Sequence, residues 1–240
     1  MLMSELTRKL YLENSYQCDF DAEVLDSSEG WSKLSQTVFY PGGGGQPADR
    51  GYLTVNGEAV AVSAIREDEG QIWHFVGCHL SERTLVHGTI DWSFRYALMR
   101  HHGLMHIVNT VAVRQFDGRI TGVQLGPDRS RIDFKLREFS RDRIPNFERL
   151  VNDVIDRRLR LTSSTISEEE YRRRPELIRT LNVLPPVING VVRIVEIEGF
   201  DAQACGATHV HLTGEIGGAH VVRFENKGKE NKRFYWDLTA

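Results

Sequence analysis

Nowhere in this chain is there an apolar run long enough to cross a bilayer, so a helical membrane protein is excluded at the outset. Cysteine is scarce. Cys18, Cys78 and Cys205 are odd in number and widely spaced, which argues against a disulfide framework and for a reducing compartment. Neither sign of charge dominates: 30 Lys and Arg stand against 33 Asp and Glu, for a formal net charge of -3. No global basic field therefore advertises nucleic acid, and any RNA contact must use a local basic surface. The opening MLMSELTRKLYLENSYQ mixes charges through its apolar residues and lacks a signal-peptide core. A cytoplasmic protein is the expectation. What is present is an ordinary globular composition, 40% hydrophobic and 26% charged over 240 residues. That length suits one large domain or two modest ones. No internal repeat appears, and the only low-complexity feature is one glycine run.

The first ninety or so residues read as short strands. In YLTV-NG-EAVAVSAI the pair Asn56-Gly57 is the strongest two-residue hairpin signal, here between two β-rich runs. A second turn at Asp68-Glu69-Gly70 returns the chain into QIWHFV, and TLVHGTID is a further strand. Strands joined by tight turns predict a small antiparallel barrel or sandwich. From Trp92 the pattern changes. Leu104, Val108, Val111 and Ala112 recur at helical spacing, with Met105 and Ile107 flanking them, so this helix should be buried on most sides. RSRIDFKL alternates, with Ile132, Phe134 and Leu136 on one face of a strand. PNFERLVNDVIDRRLRL is the clearest amphipathic helix, gathering Phe147, Leu150, Val151, Val154, Ile155 and Leu159, with Pro145 in its first turn. Ser167 and Glu170 suit a capping box for a short next helix. VVRIVEIEG, GAHVVRFEN and KRFYWDL read as strands. The fold class expected is α+β.

HHGLMH, His101 to His106, holds three histidines in six residues. On a helix His102 and His106 lie only about 40° apart around the axis, whereas His101 is rotated by roughly 100° from His102. The pair points away from the Leu104 stripe and shares its seam with Asn109. Taken alone, two such histidines are usually helix-face or core residues. A metalloprotease would need a glutamate after the first, where this chain has Gly103. The case strengthens at ACGATH, where Cys205 and His209 add a thiolate and an imidazole. HxxxH with CxxxH makes a His₃Cys set that suits tetrahedral zinc. His211 and His220 are left out of it. The run Gly42 to Gly45, followed by Gln46-Pro47, lets backbone approach a ligand or another chain closely. It is no nucleotide fingerprint, because the lysine and hydroxyl residues of a phosphate loop do not follow.

With these motifs the chain resembles the alanyl-tRNA editing proteins of the AlaX type, free-standing relatives of the alanyl-tRNA synthetase editing domain. The resemblance is carried by QTVFYPGGGGQPADRG, MRHHGLMH, VQLGPDRSRIDF and RIVEIEGFDAQACGATHVHLTGEIG, in family order from about residue 36 to 230. Two positions depart: the family's CGGTH is CGATH, with Ala207 for the second glycine, and its usual threonine after the first ligand histidine is Gly103. The resemblance implies a small N-terminal antiparallel β-barrel over residues 1–90. It also implies a two-layer, zinc-containing editing domain with an antiparallel sheet over residues 91–240. It implies hydrolysis of serine or glycine wrongly esterified to alanine tRNA, with one zinc ion on His102, His106, Cys205 and His209 orienting substrate or water. No catalytic side chain beyond the metal is assigned. Thr37 matches the position that contacts the seryl hydroxyl, Gln124 matches a glutamine near the substrate, and Gly43, Gly44 and Gln46 lie in the loop beside the cleft. Alternative readings are a deacylase for another mischarged tRNA, of the threonyl editing type, and an inactive RNA-binding module with structural zinc. Basic clusters at Arg157/Arg158/Arg160, Arg172 to Arg174 and Lys227/Lys229/Lys232/Arg233 are candidates to meet tRNA phosphates, the last favoured because Phe234, Tyr235 and Trp236 adjoin it.

Overall fold

A computed structural model describes residues 6–177, 187–188 and 190–239; the first five residues of the opening stretch lie outside them. The chain is mixed α/β. Its paired strands are antiparallel, except for the two-residue pair Arg8–Lys9 with Gln36–Thr37. It divides into two compact units, Met1–Gly43 with Pro47–Tyr96, and Gly44–Gln46 with Ala97–Ala240.

The first unit is built on seven strands: β1 (Asp19–Ser28), β2 (Trp31–Leu34), β3 (Gly51–Val55), β4 (Glu58–Val62), β5 (Ala64–Asp68), β6 (Gln71–Phe75) and β7 (Leu85–Ile90). They pair in the order β4-β3-β7-β1-β2-β6-β5. Tight turns set this register. Asn56-Gly57 has φ of 51° and 85°, and Glu69-Gly70 has 48° and 81°. These are the left-handed pairs that a two-residue hairpin needs to match strand twist. A third, Glu29-Gly30 at 52° and 80°, joins β1 to β2. The run EAVAVSAI is not one strand. It breaks at Ser63, whose N–H donates to the Phe75 carbonyl at 3.0 Å. The reason is topological: β4 and β5 end opposite sides of the pairing path yet are joined by that single residue, so the sheet must curl. Its concave core holds Phe20, Val24, Leu34, Phe39, Leu53 and Val86. β7 alternates strictly, with Val86, Gly88 and Ile90 inward.

The second unit is organised by α1 (Trp92–Phe116), which starts in the first unit and continues from Ala97 in the second. Residues 101–112 are buried without exception, which is why the apolar pattern there runs nearly all round the helix. One sheet orders β8 (Arg119–Gln124), β9 (Arg129–Lys135), β14 (Asn231–Leu238) and β13 (Ala219–Asn226) as β8-β9-β14-β13. Ile132, Phe134 and Leu136 are fully buried, as their alternation predicts. In the other sheet β11 (Val191–Ile197) pairs with β10 (Leu161–Ser167), with β12 (Asp201–Ala204) and with the short Val187–Ile188. The amphipathic helix α2 (Ile144–Asp156) buries Phe147, Val151, Val154 and Ile155. It stops three residues before Leu159, because the chain leaves helical geometry at Arg158, with φ of 52°. The short helix Glu168–Arg172 begins where expected, with the Ser167 hydroxyl accepting the Glu170 N–H at 3.1 Å.

Candidate metal centre

The four expected donors converge. One ligand atom from each of His102, His106, Cys205 and His209 lies within 4.8 Å of the others. The sulfur of Cys205 is 3.5 Å from His102 Nε2 and 3.6 Å from His209 Nε2, and His209 Nε2 is 3.2 Å from His106 Nε2. A tetrahedral ion with nitrogen and sulfur ligands requires edges of about 3.3 Å for N–N and about 3.6 Å for N–S. These three contacts match those edges.

Local structure explains the convergence. His102 and His106 sit one turn apart on α1, with ring centroids 5.3 Å apart. The strand β12 delivers the other two donors, and a buried amide network ties it to that helix. Gln203 Nε2 donates to Asp201 at 2.6 Å and lies 3.3 Å from Thr110 Oγ1, while Asn109 Nδ2 donates to Gln203 Oε1 at 3.4 Å. Cys205 follows two residues later and so arrives beside the His102–His106 turn. Its loop is braced from β11, where Arg193 Nη1 donates to the carbonyls of Cys205 at 3.0 Å and Ala207 at 2.9 Å. The braces to α1 and β11 carry no local sequence signal, because each joins residues on different elements.

Burial keeps the His102 and His209 imidazoles uncharged, the form in which they act as metal donors. Burial pushes His102 and His209 well below the ordinary histidine range, reinforced by the neighbouring imidazoles. Burial raises the Cys205 thiol, with Arg193 and the Ala207 N–H opposing. The His106 and His209 Nε2 atoms stand 3.2 Å apart, a spacing that suits either one shared ring proton or two neutral donors on one ion. For two of the three histidines the outer nitrogen has the acceptor that metal-binding histidines require. His209 Nδ1 is 3.1 Å from the Ala207 carbonyl, and His102 Nδ1 is 2.8 Å from Gln46 Oε1. His101 is buried but outside the donor set. Burial, with Arg100 nearby, lowers it to about 4.

The two departures from the family motif are accommodated. Ala207 is not among the residues with positive φ, so no glycine is required there. A Cβ on Gly103 would lie 3.3 Å from Ile216 and 3.4 Å from Val210, so glycine lets those side chains close on the helix.

The other expected residues are placed as follows. Gly44 to Gln46 belong to the second unit. The Gly45 carbonyl accepts the Leu125 N–H at 2.8 Å. Gly45 has φ of 85°, and a Cβ there would meet the Val123 carbonyl at 2.7 Å. Only glycine fits. Gly44 and Gln124 are exposed, whereas Gln46 is buried and joins His102 to Thr208, donating to Thr208 Oγ1 at 2.9 Å. In the first unit Gly43 is exposed and Thr37 is fully buried. The Thr37 hydroxyl lies 2.9 Å from His74 Nε2 and accepts the Phe39 N–H at 3.1 Å. Among the basic clusters, Arg172, Arg173 and Arg174 pair with Glu168, Glu169 and Glu176. Arg233 grips Asp133, Lys227 pairs with Glu225, and Lys232 is buried with Nζ 2.7 Å from Asn226 Oδ1. Phe234 and Trp236 are core residues, not an exposed platform. Arg157, Arg158 and Arg160 are exposed and form no ion pair among the described residues.

In sequence the chain is similar to parts of aminoacyl-tRNA synthetases. Residues 192–235 match the family of the threonyl and alanyl tRNA synthetase second additional domain, and residues 8–94 match the class II (A) tRNA synthetases. An alanyl-tRNA editing protein AlaX-M of Methanosarcina barkeri is 36% identical over 97% of this chain and 99% of its own length. The AlaX-M protein of Saccharolobus solfataricus is also 36% identical, with the same coverage. An alanine–tRNA ligase of Pyrococcus furiosus is 39% identical over 91% of this chain but only 24% of the ligase. The chain belongs to the AlaX-M family of alanyl-tRNA editing proteins. Among the described residues no helix is long and apolar enough to cross a membrane.

Proposed function

We propose that this chain is a trans-acting aminoacyl-tRNA deacylase that hydrolyses serine or glycine wrongly esterified to alanine tRNA, with one zinc ion at the His₃Cys site. The observation that carries the proposal is the convergence of His102, His106, Cys205 and His209, with ligand atoms within 4.8 Å of one another and three separations near tetrahedral edge lengths, in a chain matching an AlaX-M relative over 97% of its length. In the reaction water adds to the ester carbonyl and the ribose hydroxyl leaves, giving free amino acid and uncharged tRNA. Zinc suits the mixed nitrogen and thiolate set and, when bound, supplies a fixed positive charge for the polar groups of the acceptor end. Four protein donors leave no open tetrahedral position, so orientation of substrate fits the site better than generation of a nucleophile.

The chain's own residues supply the rest. Of the expected loop residues, Thr37, Gly43, Gly44 and Gln124 are read as substrate-facing, and Gln46, buried with both ends of its amide engaged, as acting behind them. Gly43, Gly44 and Gln124 are exposed and offer backbone and amide groups directly. With His74 Nδ1 donating to the Ser32 carbonyl, the Thr37 O–H donates to His74 Nε2. The Thr37 oxygen also accepts the Phe39 N–H, which leaves one lone pair for a seryl hydroxyl. Pairing with such a group discriminates far better than an apolar pocket does. Arg157, Arg158 and Arg160, which form no ion pair among the described residues, are assigned to tRNA phosphates in preference to the Lys227–Arg233 segment, whose cations are largely neutralised. The first unit is read as a barrel-like module and the second as the two-layer editing domain of a cytoplasmic protein.

A deacylation panel over Ser-, Gly-, Ala- and Thr-charged tRNAs tests the proposal. Hydrolysis of Ser- or Gly-tRNA(Ala) with Ala-tRNA(Ala) spared is expected, and Thr37→Val should erode selection for the seryl ester. Inactivity on both mischarged alanine tRNAs, or activity confined to the threonine tRNA, would sink it.

A further inference from the structure

The role of Gln46 differs from that of a residue facing substrate. Its side chain is 2% exposed, and both ends of its amide are committed. The oxygen is 2.8 Å from His102 Nδ1 and the nitrogen donates to Thr208 Oγ1 at 2.9 Å. These partners stand on opposite sides of the donor set: His102 is on α1, while Thr208 lies between Cys205 and His209. Gly45, which fits only without a side chain, anchors the residue to the end of β8 through Leu125.

We infer that Gln46 is a positioning residue for the metal centre: it fixes His102 as the Nδ1–H tautomer, presenting Nε2 to the ion, and locks the Cys205–His209 loop to the helix through Thr208. The chemistry leaves one consistent arrangement. An imidazole that binds a metal through Nε2 must carry its proton on Nδ1, and that proton needs an acceptor. If the amide were turned round, its N–H would point at Nδ1 and the proton would move to Nε2. Nε2 is the atom 3.5 Å from the Cys205 sulfur, so His102 would cease to be a donor. His209 has its equivalent in the Ala207 carbonyl, a backbone group. For these two histidines, Gln46 is the outer-sphere partner that substitution can remove. The glycine run thus has a second use: it carries a buried acceptor to the back of a metal ligand.

The inference rests on the proposed function only in taking the four donors as a zinc site, and it is tested by zinc binding. Zinc affinity of the full chain is measured by competition with a chromophoric chelator, alongside the melting temperature of the metal-free protein. Gln46→Leu should weaken zinc binding by about 10–100-fold. Gln46→Glu should stay close to wild type, because a carboxylate accepts both the His102 Nδ1–H and the Thr208 O–H. Imidazole nitrogen NMR of the zinc-loaded wild type should show a proton on Nδ1 of His102, and this measurement stands even if Gln46→Leu fails to fold. Unchanged zinc affinity in Gln46→Leu, a Gln46→Glu variant as weak as Gln46→Leu, or a proton on His102 Nε2 would each overturn the inference. A wild type that binds zinc in this Gln46-dependent way yet hydrolyses no mischarged tRNA would sink the editing reading alone. An active deacylase whose zinc affinity ignores Gln46 would sink this inference alone.

Discussion

In the first unit the guanidinium of Arg95 is buried against Asp49; in the second, three imidazoles and a thiol are gathered around one point. The two clusters are comparably enclosed, yet their bonding differs in kind. Arg95 Nε donates to Asp49 at 2.9 Å and 3.1 Å, Nη1 to the Ser15 carbonyl at 3.0 Å, and Nη2 to the Val38 carbonyl at 2.6 Å and to Asp49 as well. The Asp49 carboxylate also accepts the Tyr40 N–H at 2.6 Å. Donors meet acceptors, and the cluster is complete in itself. At the histidine cluster like groups converge instead: His106 and His209 Nε2 stand 3.2 Å apart, and the Cys205 sulfur lies 3.5 Å and 3.6 Å from His102 and His209 Nε2. Neutral imidazoles with a thiolate form the donor set that a divalent ion takes. The first cluster pairs charge with charge; the second gathers metal-donor atoms.

The largest effect expected from breaking this comparison is on stability. Arg95→Met strands the Asp49 carboxylate in the core and should cost about 3–5 kcal/mol in denaturant unfolding, with the zinc-to-protein ratio of the remaining folded chain unchanged. Replacing both, with Asp49→Leu added, should recover much of that loss. A cost below about 1 kcal/mol, the range of exposed pairs, would show that the ion pair does not hold the first unit together.

A smaller, pH-dependent effect comes from His74. Burial lowers it to about 4, against a hydrogen bond to the Ser32 carbonyl. The folded state therefore refuses a proton that the unfolded chain accepts below about pH 6.5. Stability from this group is complete above that pH. It falls as pH drops and is exhausted near pH 4, a loss of roughly 3 kcal/mol in total. Plotting unfolding free energy against pH should show His74→Asn with the shallower slope between pH 6.5 and 4. Equal slopes would mean that His74 is protonated without cost. Because the group lies in the first unit, zinc loading should leave its contribution unchanged.

The donor set was legible in the sequence because each pair is local: His102 and His106 share a helical turn, and CxxxH needs only a short loop. The hairpins were legible for the same reason, since Asn56-Gly57 and Glu69-Gly70 announce their own backbone geometry. What escaped is whatever depends on a distant partner. The break at Ser63 follows from curling of a whole sheet, and nothing in EAVAVSAI marks it. Leu159 fits the periodicity of α2, but the left-handed Arg158 ends the helix first. Lys232, Phe234 and Trp236 read as a basic and aromatic surface, whereas strand alternation turns all three inward. Gln46 read as a substrate-binding residue in the loop beside the cleft, and nothing local marked its bonds to His102 and Thr208, which lie 56 and 162 residues away.

The claim that the second cluster is a metal centre is tested most directly by metal analysis of the purified chain beside His106→Ala. The account predicts one zinc ion per chain, and in the variant a loss of zinc together with a fall in Ser-tRNA(Ala) hydrolysis beyond the roughly 100-fold attributable to outer-sphere partners, with the fold kept. Full hydrolysis by a chain that binds no divalent ion would contradict it.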